Sequence, residues 1–160
     1  MKSLKVVCIS LLITGCSVAV NAGGSSSGAS EASLMKADRD FADSTHLRGI
    51  DGWMSFYARD AIRIRYRANM VKGHDAIRAF DLPNISDTTS TLNWEPTDAY
   101  VFSDGTIGST TGRFWVVGRK PENLGKEIAR GRYVTMWRRE ANRWLVIMDT
   151  GYPDPPVTAR

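Results

Sequence analysis

The sequence predicts an α+β fold, with helices in the first half of the ordered chain and an antiparallel meander in the second. Apolar residues recur at helical spacing up to about residue 80, whereas from Leu92 onward they lie in long strand-like runs. Those runs are joined by hairpin signals, which make neighbouring strands antiparallel. Helices followed by a meander exclude a parallel doubly wound sheet.

Order is expected to begin near Ser30 or Glu31, where Leu34, Ala37, Phe41 and Thr45 mark one face of a helix and Glu31 sits at the positive end of its dipole. Gly49 ends that helix, and Asp51 is placed to cap a second, short one containing Trp53, Phe56 and Tyr57. "AIRIRYR" (61–67) alternates apolar and basic residues, as a half-buried strand does. Gly73-His74-Asp75 opens a third short helix, "AIRAF", which Pro83 is expected to close. The strand runs are 92–102, 107–118, 128–140 and 143–150. Asp104-Gly105 and Asn142 supply turns between them, and 118–127 is a longer polar hairpin loop. Simple alternation puts Leu145, Ile147 and Asp149 on one face of the last strand, with Trp144, Val146 and Met148 on the other. In the strand before it, Tyr133, Thr135 and Trp137 share a face.

Residues 1–16 read as an export signal: Lys2 and Lys5 precede an apolar core, Val6–Ile13, that is too short to span a membrane. Ile13-Thr14-Gly15-Cys16 resembles a bacterial lipobox, which implies lipidation of Cys16 and tethering to a membrane through that lipid alone. Ser17 is not the aspartate associated with inner-membrane retention, so the resemblance favours the periplasmic face of the outer membrane. The alternative is cleavage after Val20-Asn21-Ala22 and release into the periplasm or medium. Residues 17–30, rich in Gly and Ser, form a flexible tether, and 31–160 form a single domain. Both cysteines, Cys8 and Cys16, belong to the signal, which leaves the domain no thiol for a disulfide or metal. Loss of Lys2 and Lys5 leaves 19 basic against 17 acidic side chains, so the formal charge falls from +4 to +2. Such a balance gives no reason to expect a nucleic-acid partner.

Six segments carry a family resemblance: "FYARDAI" (56–62), "VKGHDAIRAF" (71–80), "LNWEP" (92–96), "GSTTGRF" (108–114), "GRYVTMWRRE" (131–140) and "WLVIMDTGYPDPP" (144–156). In this order they are similar to the SnoaL-like branch of the nuclear transport factor 2 superfamily, above all its exported bacterial members of unknown function. The resemblance spans the whole mature domain. It implies a cone, in which a strongly curved antiparallel sheet wraps the N-terminal helices around a mostly apolar pocket, and a homodimer. That superfold hosts isomerases, dehydratases, hydrolases and binding proteins, so it implies no single activity.

Ketosteroid isomerase, a member with well-understood chemistry, uses an aspartate base with a tyrosine and a protonated aspartate as hydrogen-bond donors. Aligned on "FYARDAI", its base falls on Arg65, its tyrosine on Phe41 and its protonated aspartate on Tyr133. An arginine is no base and phenylalanine has no hydroxyl, so that mechanism is not expected here. The same register brings Asp149 to the pocket. Asp149 as general base and Tyr133 as donor are the catalytic candidates, and Arg65, Trp137, Trp94, Phe41 and Trp53 are the candidate ligand-binding residues. The plainer expectation is that Asp149 serves the backbone of the "DTGYP" turn or pairs with Arg113 or Arg132. Glu95, His46 and His74 are weaker candidates, and no metal or cofactor motif is present. The leading reading is a domain that binds a small apolar or amphipathic molecule. The alternatives are an isomerase, dehydratase or hydrolase, and a dimerisation module whose pocket is filled by Trp53, Trp94, Trp115, Trp137 and Trp144.

Overall fold

A computed structural model describes residues 29–155; the signal, Cys16 and residues 17–28 of the tether lie outside them. Helix α1 (Glu31–Arg48) starts at a capping box, in which Ser30 accepts from the Ser33 amide at 3.1 Å and the Ser33 hydroxyl accepts from the Ser30 amide at 3.0 Å. Leu34, Asp38, Phe41 and Thr45 form its buried stripe. Gly49, at φ 56°, ends α1 and begins α2 (Ile50–Met54). Asp51 does not cap α2. It lies in the first turn and pairs with Arg78 at 2.6 Å, because Gly49 already occupies the cap position. Helix α3 (His74–Ile85) runs past Pro83, which does not close it. A proline in the last turn loses one amide bond, and the Ser86 amide still reaches the Leu82 carbonyl at 3.0 Å.

Six strands follow the order β2-β1-β6-β5-β4-β3 in one curved, unclosed sheet: β1 (Tyr57–Arg65), β2 (Val71–Lys72), β3 (Ser90–Val101), β4 (Ile107–Gly118), β5 (Glu127–Glu140) and β6 (Arg143–Pro153). The β3–β6 meander is antiparallel as the turns required, with Gly105, Ala141 and Asn142 all at positive φ. The β1–β6 pairing is parallel, made possible by the long excursion through α3 and the meander. Pro96 interrupts the ladder of the edge strand β3, and the register shifts between Pro96 and Asp98.

The helices fill the inner face of the sheet. Phe41 is the hub of the core, with ring centroids 4.7 Å from Trp53, 5.0 Å from Trp94 and 6.1 Å from Trp137. Each such aromatic pair adds about 1 kcal/mol beyond its buried area. Leu34, Ile77, Val146 and Trp144 complete the packing.

One irregularity positions the site. Met136 pairs with Met148, but Trp137 pairs with Val146, so Ile147 is an extra residue, a β-bulge in β6. Trp144 and Val146 point inward, and beyond the bulge Asp149 does so as well. The simple alternation that put Asp149 opposite Trp144 and Val146 is therefore corrected. Without the bulge, Met148 would face the helices and Asp149 the outer surface.

Candidate functional site

The inner face of the sheet and α1 enclose a pocket of about 330 Å³, near the lower end of the roughly 300–1,000 Å³ expected for small-molecule sites. Its apolar wall is Phe41, Trp53, Leu92, Trp94 and Phe114. Its polar wall is Arg63, Tyr133, Thr135 and Asp149, with Arg65 and Tyr66 also lining it. The Tyr133 ring packs against Gly112: a Cβ there would meet the ring at 2.6 Å and the Glu95 carbonyl at 2.1 Å.

Asp149 is buried and spoken for on both oxygens. The strand register sets it directly opposite Arg63 on β1 and Thr135 on β5. Thr135 Oγ1 donates to Oδ1 at 2.9 Å, while the Tyr57 hydroxyl donates to Oδ2 at 2.9 Å and Arg63 Nη1 pairs with it at 3.1 Å. Arg63 Nε reaches a second acid, Asp81 of α3, at 3.1 Å, and Trp53 Nε1 donates to the same oxygen at 3.1 Å. One guanidinium thus bridges two buried carboxylates. Burial by itself would lower the arginine's pKa, but the charges of Asp149 and Asp81 and the hydrogen bond to Asp81 outweigh that and raise it. Asp81 is raised by desolvation, which Arg63 only partly offsets. Tyr57 is raised by desolvation and by the neighbouring Asp149 charge, so it stays a donor.

A second network lies under Tyr133. Its hydroxyl donates to Asp38 Oδ2 at 2.9 Å, and Trp94 Nε1 donates to Oδ1 at 2.9 Å. Thr110 also bonds Asp38, while accepting from Trp137 Nε1 at 2.9 Å. These donors are neutral, and desolvation raises the Asp38 pKa, with the three hydrogen bonds opposing it. Tyr133 is raised too, first by burial and then by the Asp38 charge.

The pocket brings together Asp149, Tyr133, Arg65, Phe41, Trp53 and Trp94. Trp137 is absent from its wall: fully buried, it packs behind the pocket and bonds Thr110. The guanidinium on Asp149 belongs to Arg63; Arg65 stacks instead over Phe80 at 4.9 Å, with its Nη2 3.3 Å from the Asn84 side chain. The expected bonds from Asp149 to the following turn, Arg113 or Arg132 do not form, because the bulge turns Asp149 inward. Arg113 pairs with Glu95 across the outer face at 2.7 Å. The filled-pocket reading is corrected as well: the cavity is open, and Trp115 lies outside it beneath the Arg113 guanidinium. His46 and His74 bond the carbonyls of Leu92 and Met54 at 3.0 and 3.1 Å. Among the described residues no His, Cys, Asp and Glu cluster could hold a metal ion.

Sequence reasoning missed Asp38, Arg63 and Asp81. A signal existed for the first: Asp38 occupies the i+4 position from Leu34 and the i−3 position from Phe41, a carboxylate inside an apolar stripe. Asp81 stands in the same relation to Ile77 on α3.

No protein-family model and no curated protein matches the chain. Solved structures do. An NTF2-like protein of unknown function from Pseudomonas putida KT2440 superposes with a TM-score of 0.61 at 18% identity, covering 76% of this chain and 84% of that one. A second, from Shewanella oneidensis MR-1, gives 0.59 at 16% identity, covering 74% and 94%. A cystatin-like-fold protein of unknown function from Nostoc punctiforme gives 0.60 at 17% identity, covering 77% and 90%. At such identities the likeness concerns the fold: this chain has the cone fold of the NTF2-like proteins.

Proposed function

We propose that this chain is an exported, lipid-anchored binding domain that holds one small apolar or amphipathic molecule in its cone. The observation that carries the reading is the open cavity of about 330 Å³, aromatic on one wall and hydrogen-bonding on the other. That division fixes the orientation of a ligand as well as burying it. Export and anchoring through Cys16 rest on the N-terminal sequence. Thermal unfolding in the presence of a panel of hydrophobic metabolites tests the reading. A true ligand at a hundredfold excess over its Kd stabilises the fold by about 2.7 kcal/mol. A panel that leaves the melting temperature unmoved throughout contradicts it.

The presence of Asp149 on the pocket wall favours one second reading, an enzyme in which Asp149 accepts a substrate proton and Tyr133 donates to a carbonyl. Two features weigh against it. Three donors already occupy Asp149, so a substrate proton competes with them. The Tyr133 proton is engaged by Asp38. Asp149→Asn separates the two readings: in an enzyme it abolishes turnover of a bound compound, and in a binding domain there is no turnover to lose.

A further inference from the structure

Arg63 and Arg65 are two residues apart on β1 and both line the pocket, yet their surroundings differ. Arg63 is consumed by Asp81 and Asp149. Among the described residues Arg65 meets no carboxylate: its guanidinium lies over the Phe80 ring at 4.9 Å and bonds the neutral side chain of Asn84. With the Asn84 amide oxygen turned toward it, Arg65 Nη1 and Nη2 lie 2.6 and 3.2 Å from that oxygen. The stacking and the amide hold the guanidinium in place without neutralising it. Five N–H donors in a fixed fork exceed what one amide oxygen can accept, so donors remain for a ligand.

Charge elsewhere in the cavity points the same way. Asp149, on the neighbouring strand, is already paired with Arg63 and bonded by Thr135 and Tyr57, and Asp38 lies under Tyr133, so neither acid is turned to Arg65. Tyr133 and Thr135, whose protons are engaged by Asp38 and Asp149, suit a neutral ligand hydroxyl that donates to them. Phe41, Trp53 and Trp94 supply aromatic surface to the same cavity.

Resting on the binding reading above, we propose that the ligand is an amphipathic anion, a flat apolar body bearing a carboxylate or comparable oxyanion, with the anion on Arg65 and the body against Trp94 and Phe41. A carboxylate fits the guanidinium fork in bidentate fashion, whereas the uncharged amide of the same acid cannot.

The test uses 2-naphthoate and 2-naphthamide, which share one ring system and differ in charge, titrated by tryptophan fluorescence. Wild type is expected to bind 2-naphthoate about tenfold more tightly or better. The preference should collapse to near one in Arg65→Gln and return in part in Arg65→Lys. Asn84→Asp supplies Arg65 with a carboxylate from an exposed position outside the pocket wall. It should remove the preference while 2-naphthamide still binds. Equal binding of the two probes to wild type, or a preference that survives Arg65→Gln and Asn84→Asp, overturns the proposal but leaves the binding reading intact. Binding of neither probe overturns the proposal too, and the metabolite panel then decides the binding reading separately.

Discussion

Removing the Arg63 guanidinium should be among the most damaging single changes in the chain. Arg63→Met keeps the length of the apolar stem and takes away a charge shared by two acids. The side chains of Arg63, Asp81 and Asp149 are 13%, 3% and 8% exposed, so solvent can do little to replace the lost partner. Breaking a buried ion pair from one side costs about 3–5 kcal/mol, and the contact of Arg63 over the Trp53 ring at 5.5 Å goes with it. Against a typical domain stability of about 5–15 kcal/mol, the variant should be marginal. Urea unfolding at constant m-value measures the loss. The triple variant Arg63→Met, Asp81→Asn, Asp149→Asn removes the stranded charges and should recover a large part of it. The Arg63→Met penalty should also shrink in acid. Burial already raises Asp81 with the guanidinium present. A raised carboxyl contributes stability that is fully present below its unfolded value of 3.8 and lost as pH rises through the folded value. A loss below about 1 kcal/mol at neutral pH, where a buried pair should cost several, would refute the reasoning, as would a penalty that grows toward acid.

Two further outcomes are expected. Asp38 is raised by burial, so wild type should gain stability relative to Asp38→Asn as pH falls through the folded value toward 3.8, and urea midpoints between about pH 4 and about pH 8 measure the difference. The proposed lipid attachment at Cys16 predicts that the full-length chain partitions into detergent and that Cys16→Ala moves it to the aqueous phase; a wild-type protein found wholly in the aqueous phase contradicts the anchor.

Much of the architecture was legible because local and global signals agree. Ser30, Gly49, Gly105 and Asn142 sit where their caps and turns require them, and the meander strands follow their hydrophobic runs. Pro83 and Asp51 misled, since a proline near a helix end removes only one bond and a potential cap loses to a glycine two residues earlier. The site was harder to read. Nothing in "WLVIMDT" marks Ile147 as a bulge: no glycine or proline lies near it, and only the cross-strand register reveals the change of phase. Arg63 and Arg65 share a face, and their different roles depend on the parallel β1–β6 register, which sets Arg63 opposite Asp149 and Arg65 opposite Gly151. Asp38 was within reach of the helical pattern, but pattern alone does not say that Tyr133 and Trp94, about a hundred and about sixty residues away in sequence, meet it.

Gly151 gives the most direct access to the central claim that the cone holds a ligand. It lines the pocket beside Phe114, and a Cβ there makes only ordinary contact, 3.5 Å from the Phe114 ring and from the Arg132 carbonyl. The Cβ of Gly151→Val therefore fits without displacing the strand, and its two further methyls are expected to fill space in the cavity. Isothermal titration of the most stabilising compound from the thermal panel is predicted to give one site per chain in wild type and no measurable binding in Gly151→Val, whose fold remains intact. Equal binding to both proteins would place the ligand elsewhere and contradict the account.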